Sequence, residues 1–302
     1  MEFKNLNQHK AFINSEAKRL GISPTAAYTT YYARMLLERM SEVNYGTLLV
    51  KGSFSQYVHL NSLSRPVLDI DLSSTYLNNI PLEVFYTAIY NSLDDVVTFD
   101  MSHIPRKTIN GIYKMVINAK VKYPNDKEMI IAIPIDFKPN NIAIFEPQFK
   151  KVEPLFQGDK EFYINTPSFE EHIAEKLYII AHNRREDILN TRVKDFYDIY
   201  KLHGTDYDAD KFNLYFQMMC LIYGENLGNL DAEFLDKKFI KRHEEIWEKM
   251  QIKYDFVDKE LDFDEAVYYT KAVLKEQIQK IRNREFTEQA MTLVRKKQQN
   301  AK

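Results

Sequence analysis

LLVKGSFSQYVHLNSLSRPVLDIDLSS, residues 48–74, holds two apolar runs of strand length, separated by Gly52, Ser53, a polar helix-like segment and Arg65. The second run carries acids on alternate residues. Successive side chains of a strand point to opposite faces, so Asp69 and Asp71 project together while Leu68, Ile70 and Leu72 face the other way. Two carboxylates side by side repel unless something positive neutralises them. A hard cation such as Mg²⁺ does this, because it takes oxygen ligands, is held by one or two carboxylates and completes its shell with waters and substrate phosphates. Just upstream, Gly52 lets the backbone turn tightly and approach a ligand. A helix starting at Ser53 offers free N–H groups and a positive dipole end to a phosphate. Lys51 and Arg65 add positive charge nearby. On its own a D-x-D pair has low specificity, since most such pairs are solvated turn residues.

A third acid, Asp136, ends the apolar run MIIAIPID, where a carboxylate at a strand terminus can approach the first two across a sheet. Phosphoryl-transfer sites with two metal ions use shared carboxylates in this way. The plainer alternative for Asp136 is a strand-end cap, and Pro134 points to an edge strand or a bulge.

Outward from these runs the pattern is helix, sheet, helix. Residues 7–43 read as two helices split at Gly21–Pro24, with Ser23 as N-cap and Pro24 as first helical residue. Residues 48–157 hold short β-rich runs, TLLVK, VLDIDLS, VVTFDMS, IYKMVINAKVKY, EMIIAIPIDF and NIAIFEPQ, with a helix expected over Pro81–Ser92. From Thr166 the period is helical again: Ser168 and Glu171 suit a capping box, and Ile173, Leu177 and Ile180 form one apolar stripe. The expected division is residues 1–45 as N-terminal helices, 46–160 as an α+β core around a mixed sheet, and 161–302 as a helical lobe, with FQGDKEFYINTP as the hinge.

The chain has 302 residues, enough for two lobes, and no apolar run approaches the roughly 18 residues needed to cross a bilayer. The polar N-terminus lacks the apolar core of a secretory signal, which points to the cytoplasm. A single cysteine, Cys220 in FQMMCLIY, precludes an internal disulfide and reads as a buried, inert thiol. Net charge is near zero, but residues 205–266 carry sixteen acids against eight bases, and residues 271–302 nine bases against three acids. Such a basic block suits phosphates or is simply a solvated terminal helix. One amphipathic helix is expected there, with Ala272, Val273, Ile278, Ile281, Met291, Leu293 and Val294 facing the body.

Four blocks together, LLVKGSFSQYV with RPVLDIDLS, then IAIPIDF, EEHIAEKLYIIAHNRR and TRVKDFYDIYKL, follow one another over Leu48–Leu202. In order and rough spacing the chain resembles the AbiEii-type (MenT-like) nucleotidyltransferase toxins of type IV toxin–antitoxin and phage abortive-infection systems. The resemblance implies a polymerase-β-like nucleotidyltransferase sheet lobe plus a helical C-terminal lobe. It implies Asp69, Asp71 and Asp136 as ligands of Mg²⁺ (or Mn²⁺), and Lys51, Gly52 and Ser53 with Arg65 around the triphosphate. Lys176, Arg184, Arg185, Lys194, Asp195 and Asp198 fall where the family's helical lobe faces the nucleotide. By the same token an NMP moves from an NTP to an RNA acceptor, the 3′ end of tRNA, and a separately encoded antitoxin restrains the enzyme. Read as residues alone, Lys194 and Asp198 also suit a surface i,i+4 ion pair, and Lys176 a lysine snorkelling from an apolar stripe. Pro66 after Arg65 departs from the small polar residues common in the family. Two rivals remain at this level: a glycosyltransferase that uses D-x-D to hold a sugar nucleotide, and a catalytically inactive binding module.

Overall fold

The computed structural model describes residues 3–43, 48–74, 86–87, 96–101, 106–108, 111–124, 128–138, 147–182, 192–253 and 258–300. The chain forms two compact units, Met1–Pro167 and Ser168–Lys302.

The first unit opens with α1 (Leu6–Leu20) and α2 (Pro24–Val43). Gly21 turns the chain between them in the left-handed region (φ +66°), and the Ser23 hydroxyl accepts from the Ala26 N–H at 3.3 Å, as the sequence predicts. The strands β1 (Leu48–Lys51), β2 (Ile70–Ser74), β3 (Val97–Met101), β4 (Arg106–Lys107), β5 (Tyr113–Lys122) and β6 (Glu128–Lys138) form one mixed sheet in the order β1-β2-β6-β5-β3, with β4 beside β5. All neighbours are antiparallel except β2 and β6. Between β1 and β2 lies α3 (Gly52–Leu60).

Strict alternation sorts the two faces of β5 and β6. Met115, Ile117, Ala119, Val121, Ile131, Ile133, Ile135 and Phe137 are buried, whereas Lys114, Pro134 and Asp136 lie on the more open face. Pro134 sits opposite Val116 in an unbroken register, so the expected bulge is absent. Pairing with β2 begins only at Ile135. At Pro134, then, β6 has β5 alone beside it among the described residues, the edge setting in which a strand proline is tolerated.

A second, two-stranded sheet joins β7 (Gln148–Val152) and β8 (Phe162–Thr166). The stretch expected as a hinge is instead the turn and second strand of this hairpin. It is pinned to α2: the buried Arg34 meets Asp159 Oδ2 at 3.0 Å, and its guanidinium lies 5.0 Å over the Phe162 ring. Most of NIAIFEPQ and of the helix expected at Pro81–Ser92 lies outside the described residues; Tyr86 and Thr87 are helical. Buried His9 ties α1 inward, with Nδ1 2.6 Å from the Tyr123 hydroxyl and Nε2 3.0 Å from that of Tyr32. Burial lowers its pKa from 6.5 to about 4.

The second unit comprises α4 (Phe169–His182), α5 (Val193–Tyr200), α6 (Ala209–Ile222), α7 (Lys237–Lys253), α8 (Phe263–Arg282) and α9 (Thr287–Asn300), with a 3₁₀ turn at Leu227–Asn229. The Ser168 hydroxyl accepts from the Glu171 N–H at 3.2 Å and starts α4, whose Ile173, Leu177 and Ile180 are buried. Cys220 is buried in α6, and burial pushes its thiol up to about 12, so it stays protonated and inert. Asn213, Gln217 and Gln277 form a buried amide chain between α6 and α8, with links of 2.7 and 2.9 Å.

The C-terminal region departs from expectation. It is two helices, not one, broken where Arg284 and Phe286 take φ of +59° and +58°. Val273, Ile278, Ile281 and Val294 face inward as expected, but Ala272 and Met291 are exposed. Part of the basic block is already neutralised within the unit: Lys271 and Lys275 both meet Glu233, at 3.1 and 2.8 Å, and Lys280 meets Asp210 at 3.3 Å. Arg282, Arg284, Arg295 and Lys296 are exposed. Among the described residues no helix is long and apolar enough to cross a membrane.

Candidate active site

In the first unit, β1 delivers the chain directly into α3. The turn requires Gly52, which takes φ +64°. The reason is also steric: a β-carbon on Gly52 would lie 1.9 Å from Asp71 Oδ2, so the carboxylate occupies the space a side chain would fill. Lys51, in extended conformation, precedes the helix, and no side chain caps it from that position. Its first-turn N–H groups are therefore of the kind that receives an anion. Ser53 is 2% exposed, and its Oγ has no hydrogen-bond partner among the described residues. A buried hydroxyl left unsatisfied costs about 1–3 kcal/mol, which a bound acceptor or donor would recover.

Arg65 and Pro66 are buried in the segment that leads to the D-x-D strand. Two residues on, Val67 is held by Thr30 of α2, whose hydroxyl accepts from the Val67 N–H at 3.0 Å and lies 3.3 Å from its carbonyl. Pro66 thus stiffens a segment that α2 also clamps, which fixes where β2 begins. Asp69 sits one residue before β2, half-buried, and Asp71 is inside it.

The parallel pairing of β2 with β6 puts Asp71 in register with Asp136, and the antiparallel pairing of β1 with β2 puts Lys51 in register with Asp71. On the far side Lys114 of β5 is in register with Asp136, and its Nζ lies 3.3 Å from Asp136 Oδ2. A row of four charges, Lys51, Asp71, Asp136, Lys114, therefore crosses four strands. Sequence reasoning missed Lys114. Alternation in IYKMVINAKVKY assigns it to the polar face, but its partner depends on a register no local pattern encodes.

For a divalent cation the donor type fits, because carboxylates on adjacent strands are hard oxygen ligands and a Mg²⁺ shell is completed by water and phosphate. Among the described residues, however, no three His, Cys, Asp or Glu side chains gather around one point. The third carboxylate is turned to Lys114 instead.

In the second unit, Lys176 of α4 points its ammonium between two acids of α5, with Nζ 3.2 Å from Asp195 Oδ1 and 2.7 Å from Asp198 Oδ2. The Lys176 side chain is 11% exposed and both acids are buried, so Lys176 does not snorkel to solvent. Buried Phe196 and Ile199 line the same helix. Arg192 adds a longer contact of 3.5 Å to Asp195. Lys194 is exposed. The surface-pair alternative for Asp198 therefore fails, since its carboxylate is buried against Lys176. Arg184 and Arg185 lie outside the described residues.

A family model described as "Nucleotidyl transferase AbiEii toxin, Type IV TA system" matches residues 36–268. No curated protein matches the chain. Among solved structures, a protein from H. pylori described as a nucleotidyltransferase is 15% identical over 86% of this chain and 98% of its own, with a TM-score of 0.47. MenT4, a nucleotidyltransferase toxin from Mycobacterium tuberculosis H37Rv, is 15% identical over 89% of this chain and 97% of its own, with a TM-score of 0.49.

Proposed function

The chain belongs to the AbiEii nucleotidyltransferase toxin family of type IV toxin–antitoxin systems, and from that premise we propose that it moves a nucleoside monophosphate from an NTP to a hydroxyl of RNA, at the 3′ end of tRNA. The acceptor oxygen attacks the α-phosphorus, the bond to the β-phosphate breaks, and pyrophosphate leaves while the hydroxyl proton passes to solvent. The observation that carries this reading is the Asp71–Asp136 register beside the Gly52 turn.

In this reading the first-turn N–H groups of α3, the Ser53 hydroxyl and Lys51 receive the β- and γ-phosphates, with Arg65 behind them. Asp69, Asp71 and Asp136 would hold Mg²⁺ or Mn²⁺, which supplies positive charge to the phosphoryl oxygens and orients the acceptor. Lys176, with Arg184 or Arg185, offsets charge that grows in the transition state. Asp195 and Asp198 hold the Lys176 ammonium in position, and Lys194 offers an exposed cation on the same helix. We assign the transfer chemistry to the core that starts at residue 46, expected to end at 160 and here extended through β8 to Pro167; helices over 1–45 precede it and the helical unit Ser168–Lys302 follows it. As a toxin of such a system the protein meets an antitoxin partner, which we take to be separately encoded, and it works in the cytoplasm. Family membership sets aside the sugar-nucleotide glycosyltransferase, and an intact carboxylate set does not suit an inactive module.

Incubating the protein with each labelled NTP, Mg²⁺ and total RNA tests the proposal. Label should appear on tRNA and vanish with Asp71→Asn. No labelled RNA with any of the four nucleotides would overturn it.

A further inference from the structure

The open face of the sheet carries a cation that the proposed chemistry has not used. Lys114 enters from β5, the strand beyond β6, and its Nζ reaches Asp136 Oδ2 at 3.3 Å. Neighbouring strands are about 4.8 Å apart, so Asp71 and Asp136, paired in register, present two like charges at close range. Lys114 relieves that repulsion on the Asp136 side, and among the described residues no three acidic side chains gather around one point. An ammonium at this oxygen and a divalent cation on the same carboxylate repel one another, so the two compete for it.

Resting on the nucleotidyltransferase reading, we propose that Lys114 is a positioning residue of the reaction: its ammonium holds Asp136 in place of the divalent cation until nucleotide arrives, and exchanges for that cation on loading. The Lys114 side chain is 61% exposed and that of Asp136 31% exposed, so the pair is weak enough to open. An NTP adds negative charge to the site, which favours the doubly charged ion over the ammonium. Cation loading is thereby tied to the arrival of substrate.

The test uses the full chain without nucleotide, at low ionic strength, with Mn²⁺ binding read by electron paramagnetic resonance in wild type, Lys114→Gln, Lys114→Arg and Asp71→Asn. Lys114→Gln should bind Mn²⁺ about twofold to fivefold more tightly, the span expected when one exposed ion pair stops competing. Lys114→Arg should restore wild-type affinity, which a merely structural role would not demand. A wild-type signal that Asp71→Asn removes, with Lys114→Gln unchanged or weaker, sinks the role of Lys114 alone. A wild type with no Mn²⁺ site that Asp71→Asn removes sinks it together with the metal-dependent reading.

Discussion

The backbone of Gly52 lies directly against the carboxylate of Asp71, close enough that a β-carbon on the glycine would sit 1.9 Å from Oδ2. The contact joins the turn that starts α3 to the acid strand, so neither can shift alone.

Gly52→Ala should be damaging twice over. At φ +64° an L-residue costs about 1–2 kcal/mol, and the new methyl group must also displace the Asp71 carboxylate. A displacement near 1 Å at a reacting centre costs on the order of 10²-fold in rate. Steady-state transfer from NTP should fall by about that factor. In an Asp71→Ala background the stability loss from Gly52→Ala should shrink toward the strain term, and equal losses in both backgrounds would show that the two residues are not coupled.

Lys176→Met removes the cation from between two buried carboxylates. Leaving a buried charge without its partner costs about 3–5 kcal/mol, so urea unfolding should show a loss of that order. Activity per folded molecule should also fall, by about 30- to 150-fold, if the ammonium meets transition-state charge worth roughly 2–3 kcal/mol. A stability loss with unchanged kinetics would assign Lys176 to the fold alone.

His9 gives a pH signature. Its folded pKa, about 4, lies below the ordinary 6.5, so the unfolded chain binds the proton more readily. The contribution is complete above pH 6.5, declines as pH falls from 6.5 toward 4, and amounts to about 3 kcal/mol at 1.36 kcal/mol per unit. The difference in unfolding free energy between wild type and His9→Gln, followed from pH 7.5 to 4, should narrow by that order. Parallel curves would exclude His9 as the source.

Arg295 and Lys296 are exposed on α9, unlike Lys271, Lys275 and Lys280, which already have acidic partners. Reversing both to Glu leaves buried Ala290 and Val294 in place. If this helix meets the RNA backbone, tRNA affinity should weaken, and the slope of log K against log salt should flatten by a little under one for each phosphate no longer neutralised. An unaltered slope would leave α9 without a part in acceptor capture.

What the sequence made legible was local. The strand carrying Asp71, with Asp69 at its entrance, the Gly52 turn, the Ser23 cap and the Ser168 start of α4 all follow from residues within a few positions of one another. Asp195 and Asp198, three apart on one helix, announced a pair of acids for Lys176. The pairing of β2 with β6, and of Lys114 with Asp136, follows from which strands become neighbours, and the alternation within each strand is the same whichever partner it takes. The break at Arg284–Phe286 was equally silent, because non-glycine residues with positive φ carry no turn signature there. Buried Ile281 and Ala290 flank it on either side.

The parallel contact between β2 and β6 bears on when this enzyme becomes dangerous to the cell that makes it. During synthesis β2 emerges early, but its in-register neighbour Asp136 belongs to a strand translated well after it, and a parallel pair must wait for its long crossover to close. The nascent chain therefore carries the Gly52 turn and two acids with no opposing carboxylate beside them. On the proposed role of Asp136, any product broken off before β6 lacks a carboxylate that the transfer needs.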